Sequence, residues 1–482
     1  MNLDSDYAKL AVEYARDLGA EYAEARLQRT SETGCLLKNS SLEPAIIVDA
    51  QGIGIRVRYN GSLSFAATNK ITKGNIKKTV KDAIARAKAS KNLIKEKIVF
   101  SKDKMIRTKW SAEEKQRIED VDISQMIKLL KELDNIIKKG FRQVAFNNRF
   151  LVIETMLEEK IYFNSDGANI ESRVPRVLFR SYVGASYKGK NYSITIPSGY
   201  AQLGETGGWE VASRLNLHHY VKENGSALAD AIKSESRSPT NSCDLVLGPD
   251  VVGLVAHESA GHPGEADRIL GREGAQAGES YLKSDSLGLK VGSEEAMVSD
   301  DPTIPKSMGF YLFDDEGVAA KKRRLIDRGL IKDLLHNRSS AHSFSVKSNA
   351  SSRSVEYDRE PIVRMANTFV EPGNYSFEEL FEDIKEGVYI KSFMEWNIDD
   401  KRLNQRYVGM EAFLIKNGKI KSQIKNPVLE ITTPKFWSSV DARSKDLHFQ
   451  AATCGKGDPM QGAPVWTGGP HIRLRNIRLG AR

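Results

Sequence analysis

The polar stretch "SESRSPTNS", residues 234–242, constrains the fold more than any other feature, because the pattern of the chain changes across it. Before it, helical and stranded segments alternate; after it, short strands dominate. At 482 residues the chain is too long for one ordinary core. A break at this point predicts two domains, 1–240 and 241–482.

In the first of these, residues 6–18 set Tyr7, Leu10, Ala11, Tyr14 and Leu18 on one helical face. Further helices are expected over 73–91, 123–139 and about 215–235. The segment 45–69 reads as strands joined by an Asn60-Gly61 hairpin turn, and 142–200 as an antiparallel meander turning at 164–167 and 188–191. The pair Gly52 and Gly54 has no third glycine opening a helix, which excludes a dinucleotide fingerprint there. Residues 98–118 are charged and show no clear period, as a linker would.

Past the break, "CDLVLG" is a short strand of the buried type, and Gly248-Pro249-Asp250 starts a helix with proline at an early position. That helix carries Val251, Val252, Leu254 and Val255 toward a core. Hairpins follow at 323–335 and 411–424, the second with an Asn417-Gly418 turn, and one helix is expected at about 376–385. The tail "HIRLRNIRLG" alternates apolar and basic residues, which suits a half-buried strand.

The valine-rich helix runs into "HESAGHPGEAD", residues 257–267. In a regular α-helix, residues four apart land about 40° from each other, which is why H-E-x-x-H can bind a metal. His257 and His262 are five apart and would land about 140° from each other. Two imidazoles so placed cannot share one tetrahedral ion unless the helix is widened or broken between them. A π-bulge would do this, and so would ending the helix at Gly261, just before His262 and Pro263. A catalytic zinc needs a third protein ligand. The residues alone leave Cys243, Cys454, His448, His471 and any carboxylate open. Cys243 starts a strand and reads as a small buried hydrophobe. Cys454 sits in the glycine-rich "AATCGKGDPMQGAPVWTGG", where Lys456 could lower its pKa. His218, His219, His336 and His342 read as structural, the last two in or near strands.

Three widely spaced cysteines are no disulfide framework, and they point to a reducing compartment. The amino terminus has neither a basic nor an apolar leader region, and no stretch approaches the roughly eighteen apolar residues of a membrane span. A cytoplasmic protein is expected. The net charge of +9 is mild for this length, and the densest basic run, 321–324, reads as a solvated face. Nucleic acid is therefore not an expected partner.

The segments "HESAGHPGEAD", "NSDG" (164–167), "DDEGVAAKKRRLIDRGLIKDLL" (314–335), "RMANTFVEPGN" (364–374), "EAFLIKNGKI" (411–420) and "ATCGKG" (452–457) together resemble the TldD/PmbA family, on the TldD side. The resemblance runs nearly end to end. It implies a zinc-dependent peptidase with His257, His262 and Cys454 as zinc ligands, and with Glu258 as general base on a zinc-bound water. It implies substrates that are unfolded or extended polypeptides, and a homodimer or a heterodimer with a PmbA/TldE-type paralogue. The loop 263–285 and the segment after Cys454 depart from the family pattern. The fold class expected is α+β in two domains: N-terminal helices with an antiparallel sheet, and a β-rich C-terminal domain carrying a kinked metal-binding helix. The alternative function is a non-catalytic peptide-binding scaffold or the regulatory subunit of a complex.

Overall fold

The structure is a computed structural model that describes residues 3–480 except 95, 197, 198, 200, 201, 237, 240 and 275–277. Arg237 and Thr240, within the expected boundary stretch, and part of the loop 263–285 thus lie outside the described residues.

The fold is α+β with a β-rich C-terminal region. Four long antiparallel strands dominate the first half: Tyr22–Lys38, Ile46–Tyr59, Ala145–Asn164 and Asn169–Tyr187. They form the body of a nine-stranded sheet in which Tyr22–Lys38 lies between Ile46–Tyr59 and Ala145–Asn164. Helices Ser5–Asp17 and Lys73–Ser90 bury Ala11, Val80 and Ala83 against one part of it. Helices Ile123–Lys138 and Leu217–Lys233 bury Leu130, Leu133 and Leu228 against another.

Three local expectations are corrected. Within 98–118, Arg107–Ser111 is an edge strand parallel to Asn169–Tyr187; its side chains alternate between exposed and part-buried and none is fully buried, so no clear apolar period marks it. The helix expected over about 215–235 is present as Leu217–Lys233; a separate short helix, Glu210–Arg214, precedes it, with Asn216 between them in the left-handed region at φ 46°. No helix spans 376–385. Glu378–Leu380 is a single 3₁₀ turn, and successive i→i+3 bonds put Leu380, Phe381 and Ile384 into a small core with Val246 and Tyr389. His342 lies on the short helix Arg338–Ser343, not near a strand.

From Cys243 onward two six-stranded sheets are built. One has Cys243–Leu247 at its centre, flanked by Glu386–Ile390 and Ile472–Ile477. The other runs through Val298–Asp300, Asn367–Val370, Gln461–Gly469 and His448–Lys456. The helix Pro249–Ala256 shares one core with both, since Leu245, Ile390 and Leu474 from the first sheet and Val298, Ile326 and Val370 from the second join its valines. Its close approach requires glycine at 253, where a Cβ would stand 2.6 Å from the Gly468 backbone nitrogen. Among the described residues no helix is long and apolar enough to cross a membrane.

Candidate metal centre

The buried helix changes its winding where the histidine spacing requires it. Pro249–Ala256 is α-helical, and His257–Gly261 is a π turn in which the His262 amide donates to the His257 carbonyl. That i→i+5 bond adds the extra residue per turn and brings the two rings together, with centroids 4.9 Å apart in a T-shaped arrangement. Pro263 follows at once, in the 3₁₀ turn His262–Gly264. Two contacts brace the turn. Ser259 Oγ donates to the Val255 carbonyl at 2.6 Å and accepts from Trp437 Nε1 at 3.1 Å. Gly261 faces Met365, whose Sδ would lie 2.0 Å from any added Cβ.

The third group arrives from far along the chain. Cys454 lies on His448–Lys456, opposite Ala463 of the neighbouring strand. Its Sγ is 3.5 Å from His262 Nε2. One donor atom from each of His257, His262 and Cys454 fits within 4.8 Å of the others, and all three residues are buried. Cys243 and His448 are elsewhere: Cys243 is buried in the core with its thiol pushed up to about 11, chiefly by burial, and His448 pairs with Asp446. His471 also bonds Asp446.

Donor chemistry fits a divalent ion that favours nitrogen and sulfur. Burial pulls both imidazoles below the usual histidine range, which keeps them neutral and ligand-competent. In the metal-free cluster Cys454 and His262 share a proton across their 3.5 Å contact: burial opposes a charge on the thiol, but His262, in its protonated form, and Arg364 outweigh this and bring it down to about 7. The sequence reading gave Lys456 that role. Its ammonium instead turns away, to both oxygens of Asp267 at 2.8 Å and to the Val363 carbonyl at 2.7 Å. His257 Nδ1 is buried with no protein partner among the described residues, as an atom reserved for another ligand would be.

Two residues that the sequence reading passed over hold this group in place. Glu265 Oε2 accepts from His262 Nδ1 at 3.0 Å and from Arg268 Nε at 2.8 Å. With Nδ1 protonated toward Glu265, Nε2 presents its lone pair to the cluster. Burial would raise the Glu265 carboxyl, but Lys456, His262 and Arg268 hold it well below the usual range. Arg402 donates through Nη1 to Glu258 Oε2 at 2.6 Å, while Glu258 Oε1 has no protein partner among the described residues. One carboxylate oxygen is thus fixed and the other is left to accept from water. Nothing in the sequence marks Glu265 or Arg402, because charged residues are common and their partners here are set by the fold.

Three models of PmbA/TldA metallopeptidase domains match the chain: domain 1 over residues 23–87, the central domain over 116–231 and the C-terminal domain over 240–481. A protein of Methanocaldococcus jannaschii named as a metalloprotease is 30% identical over 94% of this chain and 96% of its own. One of Methanothermobacter thermautotrophicus, also named as a metalloprotease, is 29% identical over the full length of both chains. One of Saccharolobus solfataricus named as a zinc metalloprotease TldD homolog is 24% identical over 97% of this chain and 98% of its own. Among solved structures, TldE from Thermococcus kodakarensis superposes with a TM-score of 0.75 at 15% identity, covering 98% of this chain and 100% of that one, which speaks to the fold alone.

Proposed function

Since this chain belongs to the PmbA/TldA metallopeptidase family, we propose that it is a zinc-dependent peptidase whose ligands are His257, His262 and Cys454 and whose general base is Glu258. The observation that carries the reading is the π turn, which puts two buried imidazoles and a remote thiol within 4.8 Å of one another with Glu258 in the same turn.

Bound there, zinc would supply Lewis acidity to the scissile carbonyl and to water. The remaining steps belong to the chain. Arg402 holds one Glu258 oxygen, and the free oxygen takes the proton from the attacking water. The same carboxyl then passes that proton to the leaving amine. Glu265 fixes the tautomer and tilt of His262, and burial keeps bulk water from competing at the cluster. Extended or unfolded polypeptide is the substrate class, and the working assembly is a dimer with a second copy or a paralogue. A non-catalytic scaffold would have no use for a carboxylate with one oxygen pinned and the other open in the turn that carries His257.

The test is metal analysis and cleavage of an unfolded peptide by wild type, Glu258→Gln and His257→Ala. Glu258→Gln is expected to retain zinc and lose cleavage, and His257→Ala to lose both. Full cleavage by Glu258→Gln would overturn the assignment.

A further inference from the structure

Between one face of the nine-stranded sheet and the C-terminal half lies a cavity of about 250 Å³. Arg176, Arg353 and Arg364 all line it. They are 3%, 8% and 1% exposed, yet none has a carboxylate within ion-pair distance among the described residues. Buried guanidinium groups ordinarily meet a counter-charge, because an unpaired buried charge is costly. Arg353 and Arg364 donate only to backbone carbonyls, of Met365 and Pro464 and of Gln461 and Cys454. Among the described residues, Arg176 donates only through Nε, to the Met308 carbonyl, and its buried Nη1 has no partner. Arg364 Nε is likewise buried and unpartnered.

No carboxylate on the cavity wall pairs directly with these arginines among the described residues, although Glu158 acts on Arg176 and Arg353, and Asp315 on Arg353, from a distance. Glu158 and Asp315 both lie against Lys160, at 3.3 and 3.1 Å. Asp314 is pushed well above the usual carboxylate range, by burial first and then by Glu316. Glu32 and Glu356 also line the cavity but form no ion pair with the three arginines. Burial lowers both Arg176 and Arg353; Glu158 opposes this at Arg176 and Tyr311 at Arg353, while Arg353 adds to it at Arg176 and Arg364 at Arg353.

We propose that this cavity is an anion subsite that receives a carboxylate of the peptide substrate. The proposal rests on the peptidase reading above. Two features favour a peptide carboxylate over a free inorganic anion. Trp110, Phe310 and Met156 give the cavity apolar walls that suit a carbon-bearing group. Through its bond to the Cys454 carbonyl, Arg364 also ties the cavity to the strand that carries the thiol, so subsite and metal cluster share one pair of strands. The planar fork of Arg176, with an unused terminal nitrogen, matches the two oxygens of a carboxylate.

The experiment measures binding to the zinc-loaded Glu258→Gln protein by calorimetry, using short apolar peptides in matched pairs. One pair is a free C-terminal acid against the amide; the other is a Glu against a Gln side chain within an amidated peptide. The acid member of at least one pair is expected to bind at least ten-fold tighter, and which pair it is identifies the source of the carboxylate. Adding Arg176→Met should remove that preference while leaving the melting temperature of the free protein unchanged or raised, because the substitution deletes an uncompensated buried cation. Equal binding within both pairs, no binding of either, or a preference that survives Arg176→Met overturns the subsite. So does inorganic phosphate binding without any acid preference. The readout needs no turnover: an acid preference in a protein whose wild type cleaves nothing would fail the peptidase reading and leave the subsite standing.

Discussion

Arg402 Nη1 lies 2.6 Å from Glu258 Oε2, across 144 positions of sequence. The carboxylate assigned as the base is therefore held by a cation from the turn at 399–403, and it is almost fully buried. Removing one member of such a pair strands the other charge.

From this it follows that Arg402→Met lowers stability by about 2–3 kcal/mol, less than the deepest pairs lose because the arginine side chain is partly exposed. Adding Glu258→Gln to that variant should restore at least about 1 kcal/mol, since the stranded charge is then gone. Urea denaturation of the two single variants and the double variant reads this directly. Strictly additive losses would show that the two side chains do not support one another.

Glu265 acts one step further out, through His262 Nδ1. Glu265→Gln keeps the shape but halves the acceptor strength and can present the wrong dipole to the ring. Zinc affinity is expected to fall about 10–100-fold, the usual effect of removing a carboxylate behind a ligating histidine. Competition with a chromophoric chelator measures this without reference to activity. Unchanged affinity would mean that Arg268 and Lys456, which also contact Glu265, can set the ring orientation without it.

How much of this was legible in the sequence depended on how local the information was. His257, Glu258 and His262 lie within one turn, and Gly261 and Pro263 flank the break, so the irregular winding could be reasoned from spacing alone. Cys454 lies 192 positions from His262, and only the resemblance to a known family singled it out from the other candidate ligands. Lys456 looked like the thiol's cation because it is two residues away, but a strand sends alternate side chains along the same face without making them touch the same partner. Arg402, Glu265 and the three cavity arginines carried no local mark, because each takes its meaning from a contact that the tertiary fold creates. The same holds for the edge strand Arg107–Ser111, whose partial exposure hides it from any test of apolar period.

Cys454 gives the clearest dependence on pH. Its thiol titrates at about 7 in the folded protein, where an ordinary one would hold its proton to about 9. Below pH 7 a proton must leave the sulfur before metal can bind, so zinc affinity should rise as pH increases toward that value. Above it the sulfur is already ionised, and the thiol's contribution to the slope should vanish. For the metal-free protein the sign is the same: the unfolded chain binds the extra proton between pH 7 and 9, so stability rises with pH across that window and the gain is lost as pH falls through about 7. Zinc competition titrations and denaturation midpoints from pH 6 to pH 9, on wild type and Cys454→Ser, separate this residue from the imidazoles. A zinc-affinity slope still climbing at pH 9 in wild type would place the thiol in an ordinary environment, away from both His262 and Arg364.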